Sequence, residues 1–294
     1  MKQLKGCGTA LVTPFNKKNE VDYKAFKKLI KRQILGGIDF LVPLGTTGEA
    51  ASLTDQEKVK IAELVVAEAK RKIPVIVGVG SNITEQTIKN IKLLEPTGVD
   101  GFLVVTPYYN KPTQDGLYNH FKKVASSTKK PLVLYNVPSR TGVNLSAQTC
   151  LKLAKIKNIA AVKEASSNFS QISEIIKNSP KNFVVLSGND DETLPLMATG
   201  AKGVISVASN IAPKEVSKLT KALLKNDINK GQKLHHKLSE LFTNCFIETN
   251  PIPTKAGLYK MGLIENILCP PLYKSTKQTE NIMAKTIKNL GVKK

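Results

Sequence analysis

Short β-rich apolar runs alternate with longer amphipathic stretches from the start of the chain to about residue 225, and this alternation constrains the fold more than any other feature. Parallel neighbours in a sheet need long crossovers, which are usually helical, so the pattern predicts repeated βα units. Eight strand segments fall at 8–13, 38–44, 74–79, 101–106, 131–136, 159–163, 183–187 and 203–207. Between them lie stretches such as TDQEKVKIAELVVAEAKRK, where Val59, Ala62, Val66 and Ala69 recur at helical spacing behind Thr54 as N-cap and an acidic first turn. GGIDFLVP, TGVDGFLVV and TGAKGVISV are related to one another, as are KIPVIVG and KKPLVLY, so one unit is used repeatedly.

Eight units in about 210 residues suit a closed (β/α)8 TIM barrel, although a doubly wound open sheet shares the alternation. The reading adopted is a catalytic barrel over 1–225. Beyond it the strand signals stop, and INKGQKLHHKLSELFTNCF, PTKAGLYKMG and KQTENIMAKTIKNL read as helices of a C-terminal subdomain over 226–294.

A chain of 294 residues with 41% hydrophobic and 23% charged residues can bury a large core, which sets disorder aside. The opening MKQLKGCGTALVTPF is basic, but its apolar run is short and broken by Thr and Pro, so a first strand is expected there rather than a secretion signal. No run approaches the length of a membrane-spanning helix. Cys7, Cys150, Cys245 and Cys269 are widely spaced and read as reduced structural thiols of a cytoplasmic protein. The net charge of +21 comes from lysine pairs spread along nearly every helical segment. With aromatic residues at 5% and no Trp, a nucleic-acid surface of stacking platforms in a basic groove is not expected. His120, His235 and His236 are assigned to helix faces, and no spacing suggests a metal site. No GxGxxG follows the first strand and no P-loop is present, which argues against a nucleotide cofactor.

If the strands are placed correctly, their C-terminal ends collect Thr13, the turn Gly45 to Glu49, Thr106, Tyr135, Lys163 and Ser187-Gly188 on one rim. In barrels that rim carries the active site. Lys163 ends the apolar strand IAAVK, whereas nearly all other lysines sit where water can reach them. Burial disfavours an ammonium and yields the neutral amine that attacks a ketone. Pairing with Glu164, or an escape to solvent, stays open on position alone. GTTGE offers glycines, amides and two hydroxyls as a carboxylate cradle, or it is an ordinary turn. YNVPSRTG carries Tyr135, a possible proton donor, and Arg140, a possible carboxylate clamp, while TPYYN places Tyr108 and Tyr109 where interfaces often lie.

GTTGE, TPYYN, YNVPSRTG, AVKEAS, SGNDD and ETNPIPTK, in this order over essentially the whole chain, resemble the dihydrodipicolinate synthase family, also called 4-hydroxy-tetrahydrodipicolinate synthases, of the N-acetylneuraminate lyase superfamily. The resemblance implies a Schiff-base lyase that condenses pyruvate with L-aspartate 4-semialdehyde in diaminopimelate and lysine biosynthesis. It implies a covalent imine on Lys163, with no metal or organic cofactor. Tyr135, Thr46 and Tyr109 match the family's proton relay, Tyr109 reaching in from a neighbouring subunit of a homotetramer built as a dimer of dimers. Thr47 matches a contact to the pyruvate carboxylate, Arg140 the residue holding the semialdehyde carboxylate, and Gly188 and Ile205 positions lining the pyruvate pocket. The alternative within the superfamily is a class I lyase or aldolase acting on a sugar acid, N-acetylneuraminate or a 2-keto-3-deoxy sugar acid, from which Arg140, Thr46 and Tyr109 distinguish it. Where family members are inhibited by lysine, this chain carries Lys58 and Gln86 beside retained Asn82 and Tyr108, so weak or absent inhibition is expected.

Overall fold

The computed structural model describes residues 4–292, so the extreme ends of the two predicted units, 1–3 and 293–294, lie outside the described residues. All eight predicted strands are present: β1 Gly6–Ala10, β2 Phe40–Val42, β3 Ile76–Gly78, β4 Gly101–Val105, β5 Leu132–Asn136, β6 Ile159–Glu164, β7 Val184–Ser187 and β8 Gly203–Ser206. Every pairing is parallel, in the order β2-β1-β8-β7-β6-β5-β4-β3. A bridge between Leu41 and Val75 joins the two ends of that order, so the sheet closes on itself and the open-sheet alternative is excluded.

Closure follows from how each strand is dressed. Successive side chains alternate between an outer layer under the helices and an inner layer that fills the barrel. Leu132 and Leu134 of β5 belong to the outer core, while Val133 and Tyr135 belong to the inner one. The inner layer also takes Ala10, Phe40, Val42, Ile76, Leu103, Ala161, Leu186 and Ile205, and is therefore a packed plug on which the rim rests. Both strand faces are apolar, which is why the strands read as continuous hydrophobic runs.

A helix follows each strand, and the helix Asp55–Ala69 shows how sequence sets such an element. Thr54 accepts from the Glu57 amide and Glu57 reaches back to Thr54, a capping box that stabilises the first turn by about 1 kcal/mol. Its buried stripe is Ile61, Ala62, Val65 and Ala69, so the expected stripe through Val59 and Val66 is rotated by one position. Those two valines flank the stripe, half-buried, because the helix lies with the bulkier Ile61 against the core. His120 lies on a helix face as expected, and that face is the buried one: it turns inward from the helix Gln114–Ser126, bonded to Thr84 Oγ1 at 2.9 Å.

After β8 and the helix Pro213–Leu224 come the three expected helices, Ile228–Asn244, Ile252–Lys260 and Lys277–Leu290. The second of these packs against the rim through Lys255, which bonds Thr13 and Glu49, and Thr254, Lys255, Ala256, Gly257 and Leu258 are all buried.

Candidate active site

A cavity of about 410 Å³ opens at the C-terminal rim, and Thr46, Thr47, Tyr135, Arg140, Lys163 and Gly188 all contribute to its wall. Six predicted residues from four separate segments thus meet around one space. Lys163 leaves the end of β6 toward the barrel axis and is only 5% exposed. Its Nζ stands 4.3 Å from the centre of the Tyr135 ring on the adjacent strand β5, where Tyr135 and Lys163 are register partners.

The pairing of Lys163 with Glu164 that position alone left open does not occur. Strand alternation sends Glu164 to the opposite face, where its carboxylate accepts from the side chains of Asn136, Ser166 and Gln171. Burial pushes the Glu164 carboxyl above its ordinary range, and those donors pull it back. The network also takes in Asn144, so it ties the loop after β6 to the loop after β5 that carries Arg140.

Beneath the rim sits Asp190, which accepts from the Ser206 hydroxyl and, at 2.9 Å each, from the amides of Val207 and Ala208. Burial raises its pKa, opposed first by the Ser206 hydrogen bond, then by the two amides and the charge of Lys163. Through those bonds Asp190 holds the segment after β8 against the cavity.

The threonine turn, Thr46–Gly48, is a single 3₁₀ turn flanked by Leu44 at φ 59° and Glu49 at φ 54°, both left-handed. Left-handed strain thus falls on the two residues flanking the turn's glycines, at a cost of order 1 kcal/mol apiece. Two features hold that conformation. The Leu44 carbonyl packs where a side chain on Gly78 would lie, since a Cβ there would stand 2.0 Å from the oxygen. Thr13 donates through Oγ1 to the Gly48 carbonyl at 2.7 Å. Thr46 is exposed to the cavity, whereas Thr47 is buried and accepts from Asn250 Nδ2 at 2.9 Å.

Gly188 supports a close approach, because a Cβ there would meet the Ala165 side chain at 2.6 Å. Two predicted residues lie elsewhere. Ile205 is fully buried in the inner layer and does not line the cavity; Val207, just past the end of β8 where the chain leaves the strand, is in the wall instead. Tyr109, on the loop after β4 with φ 74°, is 88% exposed and absent from the wall of this chain's own cavity.

Sequence reasoning missed the contribution of the C-terminal segment. Phe246 and Asn250 line the cavity, and Lys255, taken with the solvated lysines, is completely buried. Its Nζ donates to Glu49 Oε1 at 2.6 Å and to the Thr13 carbonyl at 2.9 Å, above the face of Phe15. Burial drives the Lys255 ammonium down in pKa and Glu49 opposes that shift. The available signal was a lone charge inside PIPTKAGL, a segment otherwise without charge.

A second cavity, of about 600 Å³, lies on the other side of the threonine turn, and Lys58, Gln86 and Tyr108 are in its wall.

Comparison with known proteins agrees with this arrangement. The family model described as the dihydrodipicolinate synthetase family matches residues 3–290. A 4-hydroxy-tetrahydrodipicolinate synthase of Phocaeicola vulgatus is 47% identical over 99% of this chain and 98% of its own length. The crystal structure of dihydrodipicolinate synthase from Thermotoga maritima superposes with a TM-score of 0.97 at 42% identity, covering 98% of this chain and 99% of that one. A solved protein described as the first monomeric dihydrodipicolinate synthase variant has the same TM-score and identity, covering 98% of this chain and 97% of that one.

Proposed function

Because the chain belongs to the dihydrodipicolinate synthetase family, we propose that it joins pyruvate to L-aspartate 4-semialdehyde as a Schiff-base lyase of diaminopimelate and lysine biosynthesis. The observation that carries the reading is the single cavity in which a buried Lys163 amine faces the Tyr135 ring, the threonine turn and Arg140.

In the proposed sequence the Lys163 amine adds to the keto carbon of pyruvate. Loss of water from the carbinolamine leaves a protonated imine. That cation draws electrons from the neighbouring methyl group, which gives up a proton to form an enamine. The enamine carbon attacks the aldehyde carbon, whose oxygen takes up a proton, and the semialdehyde's own amino group then displaces the Lys163 amine at the imine carbon, closing the ring to 4-hydroxy-tetrahydrodipicolinate. Tyr135 and Thr46 carry protons at the cavity wall, and Tyr109 of a neighbouring subunit completes the relay. Thr47 and the turn amides hold the pyruvate carboxylate, with Gly188 shaping that end of the pocket. Arg140 clamps the semialdehyde carboxylate. The imine is itself the electron sink, so the scheme uses neither metal nor organic cofactor.

We further assign 1–225 to the catalytic barrel, 226–294 to its helical subdomain, the cytoplasm as the compartment, and a homotetramer as the assembly. Tyr108, Tyr109 and Ile83 support an assembled state: all three are exposed, and the bond from Asn110 Nδ2 to the Asn82 carbonyl draws their two loops together. Among the described residues no helix is long and apolar enough to cross a membrane.

The test is borohydride reduction in the presence of pyruvate, followed by peptide mass mapping and a coupled assay with aspartate semialdehyde. A pyruvate adduct on Lys163 and turnover of the semialdehyde are expected. Equal labelling of Lys163→Ala would reject the amine assignment, and turnover of a sugar acid alone would favour the aldolase alternative.

A further inference from the structure

The Lys255–Glu49 ion pair is the most deeply buried charge pair in the described residues, with side chains 0% and 1% exposed. It connects two parts of the chain 206 positions apart. Glu49 is the residue directly after the threonine turn and is held left-handed, so its carboxylate fixes the direction in which the turn leaves the barrel. Both carboxylate oxygens are used. Oε1 takes the Lys255 ammonium, and Oε2 accepts from the Cys269 amide at 2.8 Å. The same ammonium donates to the Thr13 carbonyl, while the Thr13 hydroxyl holds Gly48. Glu49 and Gly48 are thereby gripped through one cation.

Stability alone does not account for this arrangement. Removing two charges from water is expensive, and apolar residues of similar volume are often as stabilising as a buried pair. What an ion pair adds over an apolar contact is direction, since its hydrogen bonds fix angles as well as distances. Direction matters here because Thr46 and Thr47 are the two residues immediately before Gly48. Asn250, from the same C-terminal segment, donates to the Thr47 hydroxyl oxygen and leaves that hydroxyl's own proton to be given forward to an anion in the cavity.

We infer that Lys255 and Glu49 are positioning residues for the pyruvate end of the active site, a clamp by which the C-terminal helices hold the Thr46–Gly48 turn at the geometry that receives the pyruvate carboxylate. The inference rests on the reaction proposed above. The Lys255→Met/Glu49→Gln double variant removes both charges together and leaves neither stranded. Its active sites are counted by borohydride trapping, and kcat per trapped site and both KM values are measured beside the wild type. The expected result is a folded protein with a KM for pyruvate raised roughly tenfold to hundredfold, a lower kcat per site, and an unchanged KM for aspartate semialdehyde, because a small misplacement of a binding group costs on that order. Glu49→Asp keeps the charge but shortens the reach, and is expected to raise the pyruvate KM in the same way; it decides the matter if the double variant does not fold. Wild-type values per site, or an equal rise in both KM values, would overturn the clamp. A wild type that traps no pyruvate would instead overturn the reaction itself, and the clamp with it.

Discussion

His120 shows how one side chain's surroundings become a property of the whole protein. Burial alone depresses its pKa from 6.5 to about 4, since its Nδ1 has only the neutral Thr84 hydroxyl as partner and its Nε2 has none. In the unfolded chain the imidazole takes up a proton near pH 6.5, while the folded protein resists doing so until about pH 4. The stability it confers is therefore complete above pH 6.5 and is lost as the pH falls toward 4. Between pH 7 and pH 5 the loss amounts to about 2 kcal/mol. Denaturant titrations at the two pH values should show a smaller loss in His120→Leu than in the wild type; equal losses would mean that the ring is already charged in the folded state. At this scale the site was partly legible in the sequence. Lys163 stood out because it is a cation ending an apolar strand at the rim, but position alone left pairing with Glu164 or an escape to solvent open, and only its packing beside Tyr135 decides between them. Lys255 did not, because its one mark, a lone charge inside the uncharged PIPTKAGL, says that the segment is buried but not what the cation meets, and only the tertiary contact with Glu49 decides that.

The elements were more legible than the contacts between them. All eight strands and the three last helices were readable because strands buried on both faces are apolar without interruption. What periodicity could not supply was the rotation of each helix, as the displaced stripe of Asp55–Ala69 illustrates, or the closure of the sheet, which depends on the single junction between β2 and β3. That junction also governs the threonine turn. Alanine at Gly78 would press its Cβ against the carbonyl and carbonyl carbon of Leu44 and the Gly45 amide, all backbone, so the turn rather than a side chain must move. Gly78→Ala should cost about 1–3 kcal/mol of stability. It should also raise the KM for pyruvate, whereas an unchanged KM would show that the turn tolerates the shift. Two further elements bear on control. Lys58, on the helix Asp55–Ala69, is paired with Asp55 at 3.3 Å, and Gln86, on the helix Thr84–Leu94, is bonded to Asn90; both line the second cavity. A cation and an amide there offer no counter-charge to an ammonium, so activity should persist through submillimolar lysine. A steep inhibition curve in that range would sink the expectation.

For the whole molecule, the decisive residue is the one its own cavity leaves out. Tyr109 is held in a left-handed conformation on an exposed loop, with its amide bonded to the Thr141 carbonyl, and its ring faces solvent. On the proposal that this phenol takes part in proton transfer, it must act in a neighbouring site, and a two-fold dimer makes such an exchange reciprocal. The idea can be tested with two crippled subunits. Tyr109→Phe keeps the amine but lacks the donated hydroxyl, and should lose about a hundredfold or more in kcat, the usual range for a missing proton-transfer group. Lys163→Ala keeps the phenol but cannot form the imine. In a hybrid dimer, the site built on the Tyr109→Phe subunit has its own Lys163 and receives an intact Tyr109 from the other subunit, whereas the second site has neither amine nor intact donor. Random pairing of equal amounts makes about half of the dimers hybrid with one complete site each, so about a quarter of the wild-type activity should return on co-expression. Activity no higher than that of the parents, in hybrids isolated with two different affinity tags, would show that each subunit completes its own relay. Recovery near a quarter would mean that the barrel carries the amine, that the assembly completes the acid, and that a monomer of this chain is an incomplete catalyst.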